Sequence, residues 1–122
     1  MAPTILIIED NERNLYLATF LLKKRGCVIH TAADGRAGIA EARQLLPDLV
    51  VLDIQLPEMD GHEVATCLRA LPELSTTPIM AVTSHAMPGD RQRALDAGCN
   101  GYVEKPINPI TFADQVLSLL PG

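Results

Sequence analysis

Several residue types that carry common protein chemistries are scarce in this sequence. Among its 122 residues there is no tryptophan, and there are only three histidines and three cysteines. The cysteines, Cys27, Cys67 and Cys99, are odd in number, widely spaced and never in a CxxC pair. This pattern argues against a zinc site or a disulfide framework, so we expect them to be small apolar residues of the interior.

Basic residues and long apolar runs are also in short supply. Ten Lys and Arg stand against fifteen Asp and Glu, and the net charge of −5 argues against DNA or RNA as a direct ligand. The apolar runs 5–8 and 49–52 are far shorter than the roughly 18 residues of a membrane span. The N-terminus lacks the pattern of a signal peptide. We expect a cytoplasmic protein without nucleic-acid or membrane partners, and we take a monomer as its expected state.

The sequence does contain enough hydrophobic residues to form one core. Hydrophobic residues make up 48% of the chain, and a chain of this length buries roughly two thirds of the surface that it exposes when unfolded. Two separate cores would be too small to be stable. We therefore expect a single domain across residues 1–122, with no output domain after it.

Short runs rich in Ile and Val alternate five times with longer segments of helical spacing. Most of these runs are apolar at consecutive positions, as strands covered on both faces require. Strands separated by helical crossovers lie parallel, with helices on both faces of the sheet. The pattern predicts a doubly wound α/β domain. Its predicted strands are 4–8, 28–31, 49–52, 79–82 and 101–104, and its predicted helices are 12–25, 35–46, 61–70, 88–97 and 109–120.

The functional residues of an open parallel sheet are expected just beyond the carboxyl ends of its strands. Glu9 and Asp10 follow the first predicted strand, and Asp53 follows the third. If these strands are neighbours, the carboxylates approach closely, and two like charges about 4 Å apart repel by about 4 kcal/mol at an effective dielectric constant near 20. A cation must relieve this repulsion. Hard oxygen donors without His or Cys nearby are what Mg²⁺ prefers.

The fourth predicted strand ends in Thr83 and Ser84, and the fifth leads into Lys105 and Pro106. Each residue has an ordinary alternative: Asp53 as a turn or helix-cap residue, Lys105 as a solvated surface lysine, Thr83 as a β-branched strand residue. A hydroxyl, an ammonium and a metal around one carboxylate nevertheless form a constellation for phosphoryl transfer. The absence of GxGxxG and GxxxxGK(S/T) patterns, together with the acidic first loop, argues against nucleotide binding.

Four pieces of the sequence together resemble the receiver domain of bacterial two-component response regulators. They are the pair Glu9-Asp10, the segment 53–61 (DIQLPEMDG), the pair Thr83-Ser84 and the pair Lys105-Pro106, and they span nearly the whole chain. The resemblance implies a flavodoxin-like fold with five helices and five parallel strands in the order 2-1-3-4-5. The finer likeness is to single-domain receivers of cell-cycle and hybrid-kinase pathways.

The resemblance also implies a function, that of a phosphorylation-dependent switch in a phosphorelay. Asp53 would accept a phosphoryl group from a phosphohistidine on a histidine kinase or a histidine phosphotransfer protein. Mg²⁺ would be held by Asp10, Asp53 and the backbone carbonyl of Gln55, with Glu9 helping through water. The protein would have at most weak autophosphatase activity and would signal by binding a downstream protein.

Further roles are implied for residues at the ends of the last two strands. Thr83 and Lys105 would bind phosphoryl oxygens, and Tyr102 would turn inward when Thr83 moves. Gln55 and His85 each stand two residues beyond a site residue, where similar domains line the path of the hydrolytic water. For His85, an exposed loop histidine is an equal alternative.

Two other functions use parts of the same pattern. A small Mg²⁺-dependent phosphohydrolase would use the same carboxylate, but a hydrolase of the haloacid dehalogenase type places a second carboxylate two residues later, where this chain has Gln55. It would also need a cap domain to enclose its substrate. A protein-binding module that is never phosphorylated has no need of Asp53, Thr83 and Lys105 together.

Overall fold

Within the residues that it describes, 2–84 and 87–121, a computed structural model shows strands and helices in strict alternation. The strands are β1 (Thr4–Ile8), β2 (Val28–Ala32), β3 (Leu49–Asp53), β4 (Ile79–Thr83) and β5 (Gly101–Glu104). The helices are α1 (Glu12–Lys23), α2 (Gly35–Leu45), α3 (Gly61–Ala70), α4 (Asp90–Asp96) and α5 (Phe112–Leu117), with a 3₁₀ turn at Pro72–Leu74.

The five strands form one parallel sheet in the order β2-β1-β3-β4-β5. The predicted doubly wound fold and its strand order are therefore confirmed. β1 pairs with β3 so that Ile8 lies beside Leu52. Since both strands run in the same direction, the residues that follow them emerge side by side at one edge of the sheet.

The sheet carries an apolar core on each face, because successive residues of a strand point to opposite sides. In β1, Leu6 and Ile8 pack with helices α2, α3 and α4, whereas Ile5 and Ile7 pack with α1 and α5. β3 and β4 are buried along their whole length, while β2, at the edge, is partly exposed. Each fully buried Leu or Ile stabilises the fold by about 1.5–3 kcal/mol, so these layers hold the strand ends in register.

Side chains and glycines define the helix ends near the functional edge. Asn11, Asp34 and Asp60 precede α1, α2 and α3, and each side chain accepts the backbone N–H three residues later. Such a cap contributes about 1 kcal/mol. Gly26 and Gly98, which follow α1 and α4, have φ values of 86° and 111°, a left-handed backbone that glycine adopts at low cost.

Helices α4 and α5 are shorter than the predicted segments 88–97 and 109–120. Before α5, the Asn108 side chain accepts the N–H of Ile110, and the turn that it closes takes up residues predicted to be helical. After α5 the backbone hydrogen bonds become i to i+3, yet residues 119–120 still pack against the core. The apolar spacing therefore continues past the helix, which explains the overestimate.

The three cysteines lie in or beside the interior of the protein. Cys27 and Cys99 are buried, Cys67 is half-buried, and all three thiols are free. They are interior or partly interior residues, as expected.

None of the helices in the described part of the chain has the length and hydropathy needed to cross a membrane.

Candidate functional site

The site forms where β1 and β3 end beside each other. Glu9 and Asp10 follow β1, Asp53 is the last residue of β3, and carboxylate oxygens of the three lie within 4.8 Å of one another. Glu9 is 6% exposed and Asp53 is 3% exposed, whereas Asp10 is open to solvent. The structure thus brings together the three carboxylates that the strand pattern placed at this edge.

The Lys105 ammonium is the cation that relieves the repulsion within this cluster. Its Nζ lies 2.8 Å from Glu9 Oε1 and 3.2 Å from Asp53 Oδ2. The backbone N–H of Lys105 donates to the Thr83 carbonyl over 2.7 Å, which ties the residue after β5 to the end of β4. The peptide bond from Lys105 to Pro106 is cis. The ion pair with Asp53 was expected, whereas the shorter one with Glu9 was not.

The ionisation of two of these groups is altered by the surroundings. Burial and then the neighbouring Asp53 carboxylate raise the pKa of Glu9 from 4.5 to about 7, although Lys105 and the N–H of Asn11 act in the opposite direction. Burial lowers the pKa of Lys105, but its contacts with Glu9 and Asp53 outweigh this, and the pKa is raised overall. One ammonium therefore faces three carboxylates, an arrangement of charges that favours a further cation.

The segment after β3 folds back closely onto the strand that it leaves. Asp53 Oδ1 accepts the N–H of Gln55 over 3.0 Å, and the N–H of Gly61 donates to the Ile54 carbonyl over 2.9 Å. A Cβ atom on Gly61 would lie only 2.6 Å from the carbonyl oxygen of Asp53. This close approach requires glycine at the start of α3 and holds the loop against the site.

The Gln55 side chain connects this loop to the end of β4. Its Nε2 donates to Thr83 Oγ1 over 2.5 Å, while its Oε1 accepts the backbone N–H of Ser84 over 2.9 Å and the Ser84 hydroxyl over 3.3 Å. Thr83 is buried, with 2% of its surface exposed. From the sequence, Gln55 was expected to supply a backbone carbonyl and to lie near the water path. Its amide contact with Thr83 was missed, and the only sequence signal was its spacing two residues after Asp53.

Two further residues were assigned from the sequence to switching or phosphate lifetime. Tyr102 lies half-buried on β5, opposite Ala81 of β4, and packs against the core on the side of α4. A surface depression beside it is lined in part by Met87 and Arg91. His85 lies outside the residues that the structure describes.

The chemistry of this edge follows from its donor groups. Carboxylate oxygens with no Cys or His among them suit a hard cation such as Mg²⁺, which retains several waters and leaves room for a phosphate oxygen. Asp53 offers a carboxylate nucleophile, and the hydroxyl of Thr83 and the ammonium of Lys105 are donors for anionic oxygens. The arrangement suits transfer of a phosphoryl group to a carboxylate.

A flavodoxin-like sheet with this acidic cluster at its carboxyl edge defines a class of phosphoacceptor switches. The sequence profile of the family described as the response regulator receiver domain matches residues 5–117. The chain therefore belongs to the response regulator receiver domain family. It is a receiver of two-component signalling, in which such domains take phosphate from histidine kinases and act as switches rather than generally as enzymes.

Individual relatives agree with this assignment. The polar-differentiation response regulator DivK of Brucella anthropi is 38% identical over 120 residues, 98% of either chain. The chemotaxis protein CheY4 of Vibrio cholerae has a TM-score of 0.93 and 28% identity, over 98% of this chain and all of its own. The receiver domain of sensor histidine kinase PA1611 from Pseudomonas aeruginosa, with a TM-score of 0.89 and 29% identity over 98% of both chains, has a magnesium ion coordinated in its active site cleft. These likenesses do not favour the phosphohydrolase alternative.

Proposed function

We propose that Asp53 is the residue that accepts the phosphoryl group. One observation carries this proposal: the Asp53 carboxylate is buried, and the Lys105 ammonium and the carboxylates of Glu9 and Asp10 all lie close to it. In the transfer, a bond forms between an Asp53 oxygen and phosphorus, the P–N bond of a phosphohistidine breaks, and the imidazole nitrogen keeps the electron pair. The donor is a histidine kinase or a histidine phosphotransfer protein.

The acidic cluster is the proposed Mg²⁺ site. Asp10, Asp53 and the backbone carbonyl of Gln55 are the proposed ligands, and Glu9 acts through water. When bound, Mg²⁺ offsets negative charge on the transferred group. The hard oxygen donors within 4.8 Å of one another support this assignment, as does the magnesium ion in the Pseudomonas relative.

Thr83 and Lys105 are the proposed donors to the phosphoryl oxygens. Lys105 Nζ already lies 3.2 Å from Asp53 Oδ2, so the ammonium needs only to change partners when the carboxylate becomes an acyl phosphate. Movement of the Thr83 hydroxyl toward the new anion would leave space into which the ring of Tyr102 turns. The output surface is then the face around Met87, Arg91 and Tyr102, where a downstream protein binds. Slow loss of the phosphoryl group to water would give weak autophosphatase activity.

The acceptor assignment is tested by intact-mass measurement after incubation with acetyl phosphate and Mg²⁺. Wild-type protein should gain the mass of one phosphoryl group, and Asp53→Asn should gain none. The matched control is Asp96→Asn on exposed α4, where an amide oxygen can still accept the hydrogen bond from Gln92, and it should be phosphorylated like the wild type. An adduct of equal yield in Asp53→Asn would assign the phosphoryl group to another residue.

A further inference from the structure

A groove on the protein surface separates helix α2 from the loop that leads from β3 into α3. Among the residues that line it are Arg36, Ile39 and Arg43 of α2, with Glu58, Met59 and Glu63 on the opposite side. In the described part of the chain, these residues are distinct from those of the acidic site and of the depression beside Tyr102. We propose that this α2–loop groove is the interface through which two copies of the chain associate. The association is independent of the proposed role of Asp53.

The two sides of this groove carry charges of opposite sign. Arg36 and Arg43 are seven residues apart, about two helical turns, so they lie on one face of α2. Glu58 precedes α3, and Glu63 lies in its first turn. All four residues are exposed, and within residues 2–84 and 87–121 none of them belongs to an ion pair. The monomer therefore presents a basic wall and an acidic wall that do not pair with each other.

Apolar side chains contribute to the same groove. Ile39 and Met59 line it, and both are half-buried. Met59 packs against the start of α2, since a Cβ atom on Gly35 would lie only 3.2 Å from Met59 Sδ. Apolar side chains with charged residues around them are the usual composition of a protein–protein interface.

Glu58 has a backbone conformation that glutamate rarely adopts. Its φ is 65°, in the left-handed region that Gly and Asn enter at lower cost. Residues in such strained conformations are often found where their side chains have a function. Contact of the Glu58 carboxylate with the basic wall of another molecule gives this residue such a function.

A basic wall next to an acidic wall is complementary to a second copy of the same surface. When that copy is turned by half a rotation about an axis along the groove, α2 of each copy faces the acidic wall of the other. Every ion pair across the interface then forms twice. A partner of uniform charge would instead be repelled by one of the walls. Charge complementarity therefore favours a second copy as the occupant of the groove.

The association should be weak, because its ion pairs lie at the surface. An exposed ion pair typically strengthens binding by only about 1.4- to 5-fold. Small interfaces, below about 1,200 Å² in total, are mostly transient. The expected monomer is then the state of the dilute protein, and the dimer forms only when the protein is concentrated.

Charge reversal tests this interface by sedimentation equilibrium in low salt, with the protein concentration raised into the millimolar range. Arg36→Glu with Arg43→Glu makes both walls acidic, and Glu58→Arg with Glu63→Arg makes both walls basic. Each double variant alone should associate at least about tenfold more weakly than the wild type. An equimolar mixture of the two should dimerise, because an acidic wall then meets a basic wall at both contacts. High salt should weaken the wild-type dimer, since it screens exposed charges.

The matched control is Arg13→Glu with Lys23→Glu, at exposed positions of α1 outside the groove. It changes the net charge as much as the arginine variant does, and it should associate like the wild type. A wild type that stays monomeric would overturn the proposal and leave the groove to a different protein. Association that both double variants retain would place the dimer on another face. A monomeric mixture of variants that circular dichroism shows to be folded would mean that the two walls do not pair.

Discussion

Removal of the Lys105 ammonium is the perturbation whose cost can be worked out most directly. Lys105→Met keeps much of the side-chain length but leaves Glu9 and Asp53 buried without their shared cation. With oxygens within 4.8 Å, two carboxylates repel by at least about 3.5 kcal/mol at an effective dielectric constant of 20. Breaking a buried ion pair by removing one partner typically costs 3–5 kcal/mol. We therefore expect the metal-free variant to lose about 3 kcal/mol of stability at pH 8, where Glu9 is ionised in the wild type.

Urea unfolding in the presence of EDTA measures this loss, provided that the dependence of the free energy of unfolding on urea is unchanged. Saturating Mg²⁺ should then reduce the difference between variant and wild type, because the cation replaces the missing charge and no longer competes with Lys105. Lys23→Met, an exposed change at the end of α1, is the control and should alter stability by less than about 0.5 kcal/mol. A loss below about 1 kcal/mol, or one that Mg²⁺ leaves unchanged, would refute this account of the site's electrostatics.

Three further predictions concern the same edge of the sheet. Gly61→Ala should destabilise the protein by about 1–3 kcal/mol in chemical denaturation, because its Cβ would collide with the backbone of Asp53 and Ile54; a stabilised variant, as helix propensity alone predicts, would contradict this. Asp10→Asn should weaken Mg²⁺ binding and phosphorylation while relieving repulsion in the metal-free protein, so unchanged Mg²⁺ affinity by titration would remove Asp10 from the ligand set. The raised pKa of Glu9, about 7, means that the folded state holds a proton that the unfolded state releases near pH 4.5. Metal-free wild type should therefore lose stability relative to Glu9→Gln as the pH rises from 4.5 to 7, and parallel pH profiles would exclude this linkage.

The arrangement of strands and the meeting of the carboxylates were predictable from the sequence. Segment 49–52 is apolar at every position, as expected for a strand that helices cover on both faces. Parallel strands end at a common edge, so residues placed just after two neighbouring strands converge, and the order that makes the first and third strands neighbours was implied by the resemblance to receiver domains. For that reason Glu9, Asp10 and Asp53 could be assigned to one site before any distance was known. The C-terminal end of α5 could not be predicted, since apolar spacing continues through the turn that follows this helix.

The partners of the long side chains were decided only by the tertiary structure. Gln55 reaches residues 28 and 29 positions further along the chain, and Lys105 pairs more closely with Glu9 than with the expected Asp53. Side chains with several rotatable bonds have many rotamers of similar energy, and the one adopted depends on which donors and acceptors the folded strands place within reach. The sequence thus determined which chemical groups stand at the edge of the sheet. Their pairing became definite only when packing had fixed the distances between strand ends.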